Sequence, residues 1–387
     1  MVIVWDPEQV KAVFSAAPES FAPGAPDAMA AILGEGSLFL QSGARHKRSR
    51  KLLMPPFHGE RIKTYAHLME RAAVQSLAQF SVGVKAPILP VAQEVTLNVI
   101  IEAVFGERDP ERVKVLHRQI LDLVASFNPL IATFRALQKD FWGLGPWARL
   151  QRAAAAFDDS VSQLMLEKRE TPGTDILSLL LAARDEAGEP LDEQEIREQL
   201  LTFVMAGHET TATSLAWAMY ELLRLPAALD RLRSELQSVS GDPAAWVQLP
   251  YLTAVVQETL RRHPPLPIVP RKCAVDFPLG KYVVPKGHAL GVAAYLTHHQ
   301  ESIFDEPFSF RPERFLGRSY SPFEFFPFGG GARRCLGAAF AMVELQIVLA
   351  AWLRAGQFEL LEPKPVKNAF RIGTYGPRTG IVVERTA

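Results

Sequence analysis

The chain has 387 residues, of which 48% are hydrophobic and 22% are charged, and its formal net charge is zero. This neutral balance gives no support for binding to nucleic acid or to an anionic membrane surface. Only two cysteines occur, Cys273 and Cys335, which excludes a disulfide framework and favours a reducing compartment. No basic segment precedes the first apolar run, and no uncharged run reaches the roughly 18 residues of a bilayer-spanning helix. We therefore expect a soluble, cytoplasmic protein without a membrane anchor.

Helical patterns dominate the first part of the chain. Apolar residues that recur three and four positions apart predict helices over residues 45–53, 62–80, 91–105 and 150–169. The longest pattern covers residues 192–225, where Asp192 and Glu195 form a capping box at its start and Pro226 ends it. At about 1.5 Å per residue this helix would be roughly 50 Å long. Its middle is apolar on all sides, which predicts that it is buried.

After residue 263, prolines and glycines separate short runs that are typical of strands. These runs predict strands over residues 281–284 and 289–294, and a strand pair near residues 358–361 and 381–384. The chain contains no internal repeat and no low-complexity linker. We predict one compact domain over residues 1–387, mainly α with a minor β region.

The segment FGGGARRCLG, which begins at Phe328, is followed at once by a helical pattern. Backbone N–H groups and the positive end of a helix lower the pKa of a cysteine in such a loop, so Cys335 is a candidate thiolate. Gly331 and Gly337 would let the backbone turn tightly and approach a flat ligand. Phe328 could cover the sulfur, and Arg333 would add positive charge near it. The alternative is a buried, inert cysteine.

The segment AGHETT, which begins at Ala206, lies in the middle of the longest predicted helix. Ala206 and Gly207 are small enough for a planar cofactor to lie against the helix. The Thr210 hydroxyl could bond to the Ala206 carbonyl and open the helix locally, next to the acid Glu209. Alternatively, the small residues permit close helix packing and Glu209 is partly solvated. A zinc-protease signature, H-E-x-x-H, is excluded because the last position is Ala212.

Charged residues form two further patterns. His46 and Arg50 are four residues apart in a basic run and could grip a pair of carboxylates, although a solvated helix face is the alternative. Glu258 and Arg261 lie three residues apart on one predicted helix face. Another pair with the same spacing, Glu221 with Arg224, lies at the end of the long helix.

The cysteine segment is similar to the haem-ligand signature of the cytochrome P450 family, F-x-x-G-x-R-x-C-x-G. The matching positions are Phe328, Gly331, Arg333, Cys335 and Gly337. The resemblance implies a fold in which haem b lies between the long central helix and the cysteine-bearing helix. It also implies that the Cys335 thiolate is the axial ligand of the iron, whereas Cys273 is a small core residue.

Other residues resemble further positions of the same family. Glu209 and Thr210 resemble its acid–alcohol pair, and Ala206 and Gly207 would lie against the haem. The resemblance assigns contacts with the haem propionates to His46, Arg50, Arg271 and Arg333. It assigns a buried structural cluster to Glu258, Arg261 and Arg314.

The implied activity is the insertion of one oxygen atom of O2 into an apolar small molecule. No G-x-G-x-x-G follows a predicted strand, so electrons would come from a ferredoxin or flavodoxin-type donor with an NAD(P)H-dependent reductase. The predicted docking residues for this donor are Arg45, Lys47, Arg48, Lys51 and Arg334. Residues 38–40, 127–131, 201–204, 266–269 and 373–376 line the pocket in the family. They are largely apolar here, which favours a lipid, terpenoid, steroid or macrolide-like substrate.

Two rival functions remain open at this point. One is a haem-thiolate enzyme that uses or rearranges a peroxide, and the other is a non-catalytic haem-binding sensor or carrier. The Glu209–Thr210 pair argues against both, because a proton relay serves O2 activation. Members of the family usually carry several tens of residues before the segment that resembles residues 2–14, so the chain is either truncated or unusually short at this end. We expect this to affect stability and part of the substrate entrance, but not the haem site.

Overall fold

A computed structural model describes residues 1–23, 27–59, 61–126, 138–140, 142–239, 241–362, 364–371 and 374–386. The chain forms two compact units. The first unit consists of Met1–Ser20, Phe57–Thr96 and His208–Ala387, and the second of Phe21–Pro56 and Leu97–Gly207. The prediction of one domain over residues 1–387 stays a prediction.

The described residues are mostly helical, as the sequence patterns predict. In chain order, the helices are α1 Pro7–Phe14, α2 Asp27–Leu33, α3 Gly43–Leu53, α4 Arg61–Thr64, α5 Ala66–Gln79, α6 Ile88–Phe105, α7 Pro110–Ser126, α8 Pro146–Glu170, α9 Ile176–Ala182, α10 Glu193–Arg224, α11 Pro226–Gln237, α12 Pro243–Trp246, α13 Pro250–Arg262, α14 Ala294–His298 and α15 Ala338–Ala355. The predicted long helix corresponds to α10, which is buried at every position from 211 to 222.

The strands are short and most of them follow α13. They are β1 Val2–Val4, β2 Phe21–Ala22, β3 Lys85–Pro87, β4 Val269–Cys273, β5 Phe277–Leu279, β6 Tyr282–Val284, β7 Ala289–Val292, β8 Phe358–Leu360, β9 Asn368–Arg371, β10 Thr374–Pro377 and β11 Val382–Arg385. In the first unit, β7 pairs in parallel with β1 and antiparallel with β4, with Val2 and Arg271 both aligned with Leu290. The predicted pair at the end of the chain is confirmed as β8 with β11.

One predicted helix is wrong as a single element. Residues 62–80 are divided into α4 and α5 at Tyr65. The Tyr65 N–H donates to the carbonyl of Ile62 at 3.1 Å, a bond that spans three residues instead of four and tightens the turn. The buried Tyr65 ring meets Phe340 edge-on at 5.3 Å between centroids, and this contact holds the break in place. The strand predicted over residues 289–294 also ends early, because α14 begins at Ala294.

Each unit has a core of its own. In the first unit, α15 packs against α5, and the fully buried Trp352 donates its indole N–H to Ser76 at 3.3 Å. In the second unit, α8 packs against α7 and α9, and Phe105 meets Phe157 edge-on at 6.2 Å between centroids. Both cores are aromatic and aliphatic, and burial of such side chains is the main source of stability.

Within the described ranges, two helices, α6 and α15, are long and apolar enough to cross a membrane by length and composition. This finding qualifies the sequence expectation that no segment has this property. Their mean hydropathies are 1.6 and 1.5, and 67% of each is buried inside the protein. Core helices of a globular protein meet the same two criteria, so this observation is weak evidence for a membrane segment.

Candidate active site

The loop before α15 holds Cys335 in the setting that the sequence predicts. The N–H of Cys335 donates to the carbonyl of Phe328 at 2.9 Å, and the N–H of Arg334 donates to Gly331 at 3.1 Å. The first turn of α15 begins three residues later, at Ala338. Cys335 is exposed, whereas Cys273 is buried in β4 and burial raises the pKa of its thiol. Cys335 is thus the accessible cysteine, and it lies at the positive end of a helix.

Gly331 and Gly337 have different reasons for lacking a side chain. Gly331 has a φ of +64°, and a Cβ added there would lie 2.2 Å from the carbonyl oxygen of Phe14. Among the described residues, nothing lies within 4 Å of a Cβ added at Gly337. Gly331 therefore serves a tight turn against the protein itself. The open space at Gly337, beside the start of α15, fits a flat ligand.

Arg271 forms a cationic site that has no counter-charge among the residues that the structure describes. Its side chain is 8% exposed and donates to the carbonyl oxygens of Pro270 at 2.9 Å and Gly330 at 3.4 Å. Within the described ranges, no carboxylate lies at ion-pair distance from it. Burial, and then the positive charge of Arg333, lower the pKa of Arg271 to about 10. A buried cation beside a second cation fits an anionic ligand such as a propionate.

His46 and Arg50 lie on α3, in the second unit. His46 is 5% exposed and Arg50 is half-buried, while their neighbours Arg45 and Lys47 are exposed. This pattern places His46 and Arg50 on the inner side of the helix, so the solvated-face alternative does not hold for them. Their contact with a propionate stays a prediction.

Two of the predicted donor-docking cations already have acidic partners in the second unit. Arg48 pairs with Asp185 at 2.6 Å between Nε and Oδ2, and Lys51 pairs with Glu186. The acids belong to the loop between α9 and α10. An acidic redox protein would therefore compete with this loop for half of the basic face of α3.

The AGHETT segment lies within α10, which runs without interruption from Glu193 to Arg224. The predicted local opening therefore does not break the helix, and the Thr210–Ala206 hydrogen bond stays a prediction. A Cβ added at Gly207 would lie 3.0 Å from Cδ1 of Ile100. This contact supports the packing interpretation of Gly207, in which a small residue lets α6 approach.

Glu209 is buried and hydrogen-bonded. Its carboxylate is 7% exposed and accepts a hydrogen bond from Nε2 of Gln93 at 2.7 Å. The Thr96 hydroxyl, one turn further along α6, donates to the carbonyl of His208 at 3.0 Å. The interpretation of Glu209 as a partly solvated acid is therefore wrong. Sequence reasoning missed Gln93, and its signal was a polar side chain in an apolar helix.

The predicted structural cluster is confirmed. Arg261 donates to both oxygens of Glu258, at 2.7 and 2.9 Å, and both side chains are 0% exposed. Arg314 donates to the same carboxylate at 3.0 Å. Arg261 also donates to the carbonyl of His298 at 2.7 Å. The cluster satisfies its charges internally, so it stabilises the fold and is not a ligand site.

Glu221 and Arg224, the other pair with this spacing, do not form an ion pair with each other. Glu221 is 3% exposed and pairs with Arg262 at 2.8 Å and with Nε2 of His263 at 2.7 Å. Arg224 donates instead to the Tyr220 hydroxyl at 3.2 Å. The His263 ring also stacks on Trp217 at 4.0 Å between centroids. Glu221 therefore joins α10 to the end of α13, a contact that the spacing did not reveal.

In the second unit, a polar clamp joins residues 36–38 to α10. Gln199, which is 0% exposed, donates to the carbonyl of Gly36 and accepts from the N–H of Leu38 at 3.1 Å. The hydroxyls of Ser37 and Thr202 are hydrogen-bonded at 2.8 Å. The clamp fixes the backbone just before residues 38–40, which form one of the segments that the family resemblance assigns to the pocket.

The predicted capping box is confirmed only in its first half. The Asp192 side chain accepts from the N–H groups of Gln194 at 2.8 Å and Glu195 at 3.3 Å. One carboxylate oxygen of Glu195 instead accepts hydrogen bonds from Gln41 at 2.8 Å and from Ser49 at 2.5 Å. Glu195 therefore links Ser49 of α3, and Gln41 just before this helix, to α10.

A model of the cytochrome P450 family matches residues 1–377. The chain belongs to the cytochrome P450 family. It is 38% identical over 98% of its length to cytochrome P450 137 of Mycobacterium tuberculosis, of which it covers 79%. It is 31% identical over 98% of its length to cytochrome P450 138 of Mycobacterium bovis, of which it covers 85%.

Solved P450 structures share its fold. A retinoic-acid-bound cyanobacterial CYP120A1 superposes with a TM-score of 0.86 at 25% identity and covers 99% of this chain and 88% of its own. A six-coordinated P450 from Thermus thermophilus gives a TM-score of 0.76 at 25% identity, over 100% of this chain and 92% of its own. The protein is therefore a P450 monooxygenase, an oxidoreductase whose cofactor is haem with a cysteine thiolate as axial ligand.

Proposed function

We propose that Cys335 is the haem ligand and that the protein hydroxylates or epoxidises an apolar small molecule. The observation that carries the proposal is the contrast between the two cysteines. Cys335 is exposed in a loop at the start of α15, whereas Cys273 is buried in a paired strand. Haem bound through a thiolate supplies an electron-rich iron that favours O–O cleavage.

Arg271 and Arg333 would hold the haem propionates, together with His46 and Arg50. Support comes from the buried Arg271, which lacks an acidic partner in the described part of the chain, and from the buried side of α3 that carries His46. Ala206 and Gly207 would face the haem plane, and the small size of Gly207 would also serve its packing against Ile100. Bidentate and charge-assisted bonds from arginine to carboxylates are among the stronger polar contacts in proteins.

Glu209 and Thr210 would deliver protons to the oxygen-binding side. The hydrogen bond from Gln93 fixes one oxygen of the Glu209 carboxylate and leaves its other oxygen able to hold or pass a proton. Burial of Glu209 keeps bulk water from this path. In this proposal Gln93 orients the acid, and Thr210 passes the proton onward.

The substrate would be a lipid, terpenoid, steroid or macrolide-like molecule. Among the family's pocket segments, Leu201 and Val204 are buried, while Leu266 and Ile268 are exposed. Residues 127–131 and 373 lie outside the described residues. The cyanobacterial relative is bound to retinoic acid, a largely apolar isoprenoid, which supports this substrate class.

A ferredoxin or flavodoxin-type protein with its NAD(P)H-dependent reductase would supply the electrons, and the enzyme would work in the cytoplasm. Arg45 and Arg334 are exposed and form no ion pair among the contacts of the described residues, whereas the exposed Lys47 lies within electrostatic range of Glu186. They would meet the donor first. Arg48 and Lys51 would join only when Asp185 and Glu186 release them.

The test is the absorption spectrum of the reduced, carbon-monoxide-bound protein in three forms: wild type, Cys335→Ser and Cys273→Ser. We expect the strongly red-shifted Soret band of thiolate ligation in wild type and Cys273→Ser, and its loss in Cys335→Ser. A red-shifted band that survives in Cys335→Ser, or its absence from wild type, would overturn the assignment. Turnover with a donor and O2, compared with turnover with hydrogen peroxide, then separates a monooxygenase from a peroxide-using enzyme.

A further inference from the structure

We propose that Phe14, the last residue of α1, is a positioning residue that holds the Cys335 loop in its ligating conformation. This inference rests on the proposed assignment of Cys335 as the haem ligand. Phe14 is 6% exposed and belongs to the same compact unit as the loop. It lies more than 300 positions away in sequence, so no local pattern connects the two.

The strand–helix start of the chain is anchored firmly enough to act as a support. β1 pairs with β7 in the same sheet that carries Arg271 on β4. The Asp6 side chain caps α1 by accepting from the N–H groups of Glu8 at 2.9 Å and Gln9 at 3.4 Å. The carbonyl of Trp5 accepts from Thr297 at 2.7 Å. These bonds fix the direction in which α1 runs toward the loop.

The Phe14 ring fills the space that Gly330 leaves open. A Cβ added at Gly330 would lie 2.2 Å from Cδ2 of Phe14. The ring also meets Phe326 edge-on at 5.2 Å between centroids, at the start of the loop. The guanidinium carbon of Arg271 lies 6.0 Å from the ring centre. One aromatic side chain therefore touches the loop backbone, its first residue and the candidate propionate arginine.

The main chain of Phe14 makes a second, separate contact. Its carbonyl oxygen lies 2.2 Å from the position of a Cβ on Gly331. This approach depends on the backbone and not on the ring, so substitutions at Phe14 leave it in place. The two neighbouring glycines therefore respond differently to the same change at position 14.

Removal of the ring should loosen the loop more than it unfolds the protein. The resulting cavity faces Gly330, so the loop backbone at this position loses the ring that packs against it. A loosened loop lets the sulfur move away from the iron or take up a proton. Both events convert the red-shifted carbon monoxide spectrum into an unshifted one.

The first experiment compares Phe14→Ala, Phe14→Leu and Phe80→Ala as haem-loaded proteins. Phe80 is a matched control, because it is 3% exposed in the same unit and stacks on Phe358 at 6.2 Å. We expect Phe14→Ala to lose the red-shifted band about tenfold faster than wild type on mild warming. The free energy that is lost when a phenylalanine-sized cavity forms is larger than a tenfold change in rate requires. Phe80→Ala should melt earlier but keep its band until it unfolds. Phe14→Leu, which keeps most of the volume, should fall between wild type and Phe14→Ala.

The second experiment tests the contact itself by compensation. Gly330→Ala alone should lose the red-shifted band, because its methyl group collides with the Phe14 ring. The double variant Phe14→Ala with Gly330→Ala should regain part of it, since the methyl group enters the cavity. Gly331→Ala should not be rescued by Phe14→Ala, because it collides with the main-chain carbonyl and has a left-handed φ.

The outcomes separate this inference from the proposed function. A wild type without the red-shifted band overturns both. A wild type with the band, together with a Phe14→Ala variant that behaves as Phe80→Ala does, overturns only the role of Phe14. If Phe14→Ala does not fold, Gly330→Ala is compared with the double variant Gly330→Ala with Phe14→Leu. If Phe14→Leu restores none of the red-shifted band, the positioning role of Phe14 is overturned.

Discussion

Two arginine sites of the first unit have opposite electrostatic character. In the closed site, Arg261 and Arg314 share the Glu258 carboxylate, and every charge has a protein partner. In the open site, the equally buried Arg271 donates to two carbonyl oxygens and has Arg333 as a neighbour. A closed site holds the fold together without a ligand. An open site leaves a positive charge for a ligand to neutralise, so it costs stability until the ligand binds.

The largest effect is expected when the closed site is broken. Glu258→Gln would leave two buried arginines without a counter-charge and destabilise the protein by about 3–5 kcal/mol. Urea unfolding of the haem-loaded protein measures this change. The control is Glu186→Gln, at an exposed ion pair with Lys51, which should leave the unfolding midpoint unchanged. Equal midpoints for the two variants would contradict the distinction between closed and surface charges.

The positive charge of the closed site also acts on its neighbours. Burial, together with the charges of Arg261 and Arg262 and partly offset by a hydrogen bond to the Tyr295 carbonyl, lowers the pKa of His299 to about 4. Below pH 6.5 the unfolded state then binds more protons than the folded state. This contribution to stability is complete above pH 6.5 and is lost as the pH falls toward about 4, by at most about 3 kcal/mol.

Thermal unfolding between pH 7 and pH 4 checks this pH dependence, with His299→Gln as the comparison. The glutamine side chain can still donate to the carbonyl of Tyr295, which the imidazole now contacts at 2.8 Å. We expect a flatter curve for the variant. Parallel curves for wild type and variant would assign the acid sensitivity to other groups, such as the buried His298, whose pKa burial also lowers.

At the open site, we expect a substitution to change the stability of the haem-free protein in the opposite direction. Arg271→Met removes a buried cation that has no acidic partner among the described residues, so the protein without haem should unfold at the same or a higher temperature. The loss of a charge-assisted bond to the haem should accelerate haem transfer to apomyoglobin by about 10- to 100-fold. Destabilisation of the haem-free form as large as that of Glu258→Gln would show that Arg271 belongs to the closed class.

The smallest effect concerns charges at the surface of the second unit. Glu186→Gln releases Lys51 for a redox partner, so the KM for a plant-type [2Fe–2S] ferredoxin should fall by less than about fivefold, and less at high salt. Glu170→Gln, which removes the same charge at the end of α8, is the matched control. A similar fall in both variants would mean that only net charge matters and that the acidic loop does not compete for the basic face.

Sequence patterns were most successful where one segment carries the whole signal. The cysteine loop, α10 and the Glu258–Arg261–Arg314 cluster all follow from residues close together in sequence or from a motif of the family. The sequence patterns did not predict helices α1, α7, α11 and α12. Each of these begins with a proline, which suits the first helical position. Helices α1 and α12 are short, whereas α7 and α11 bury apolar residues three or four positions apart, a pattern that sequence reasoning overlooked.

Long-range contacts account for the remaining differences. Tyr65 interrupts a regular helical pattern because its ring packs on Phe340, about 275 positions later. Glu195 has the spacing of a capping box but is used by Gln41 and Ser49. Gly331 is explained by the Phe14 carbonyl at least as well as by a ligand. A pattern of spacing along the chain contains no information on which distant side chain competes for the same atom.

The parallel pairing of β1 with β7 has a consequence for biosynthesis. Val2 is aligned with Leu290, so β1 cannot pair with β7 until nearly 290 further residues have been synthesised. Contacts of such large sequence separation form late, because a long loop must close before any bond compensates for its entropy. The contact of Phe14 with Gly330 and Gly331 must wait longer still. We therefore expect the Cys335 loop to reach its final conformation late in folding.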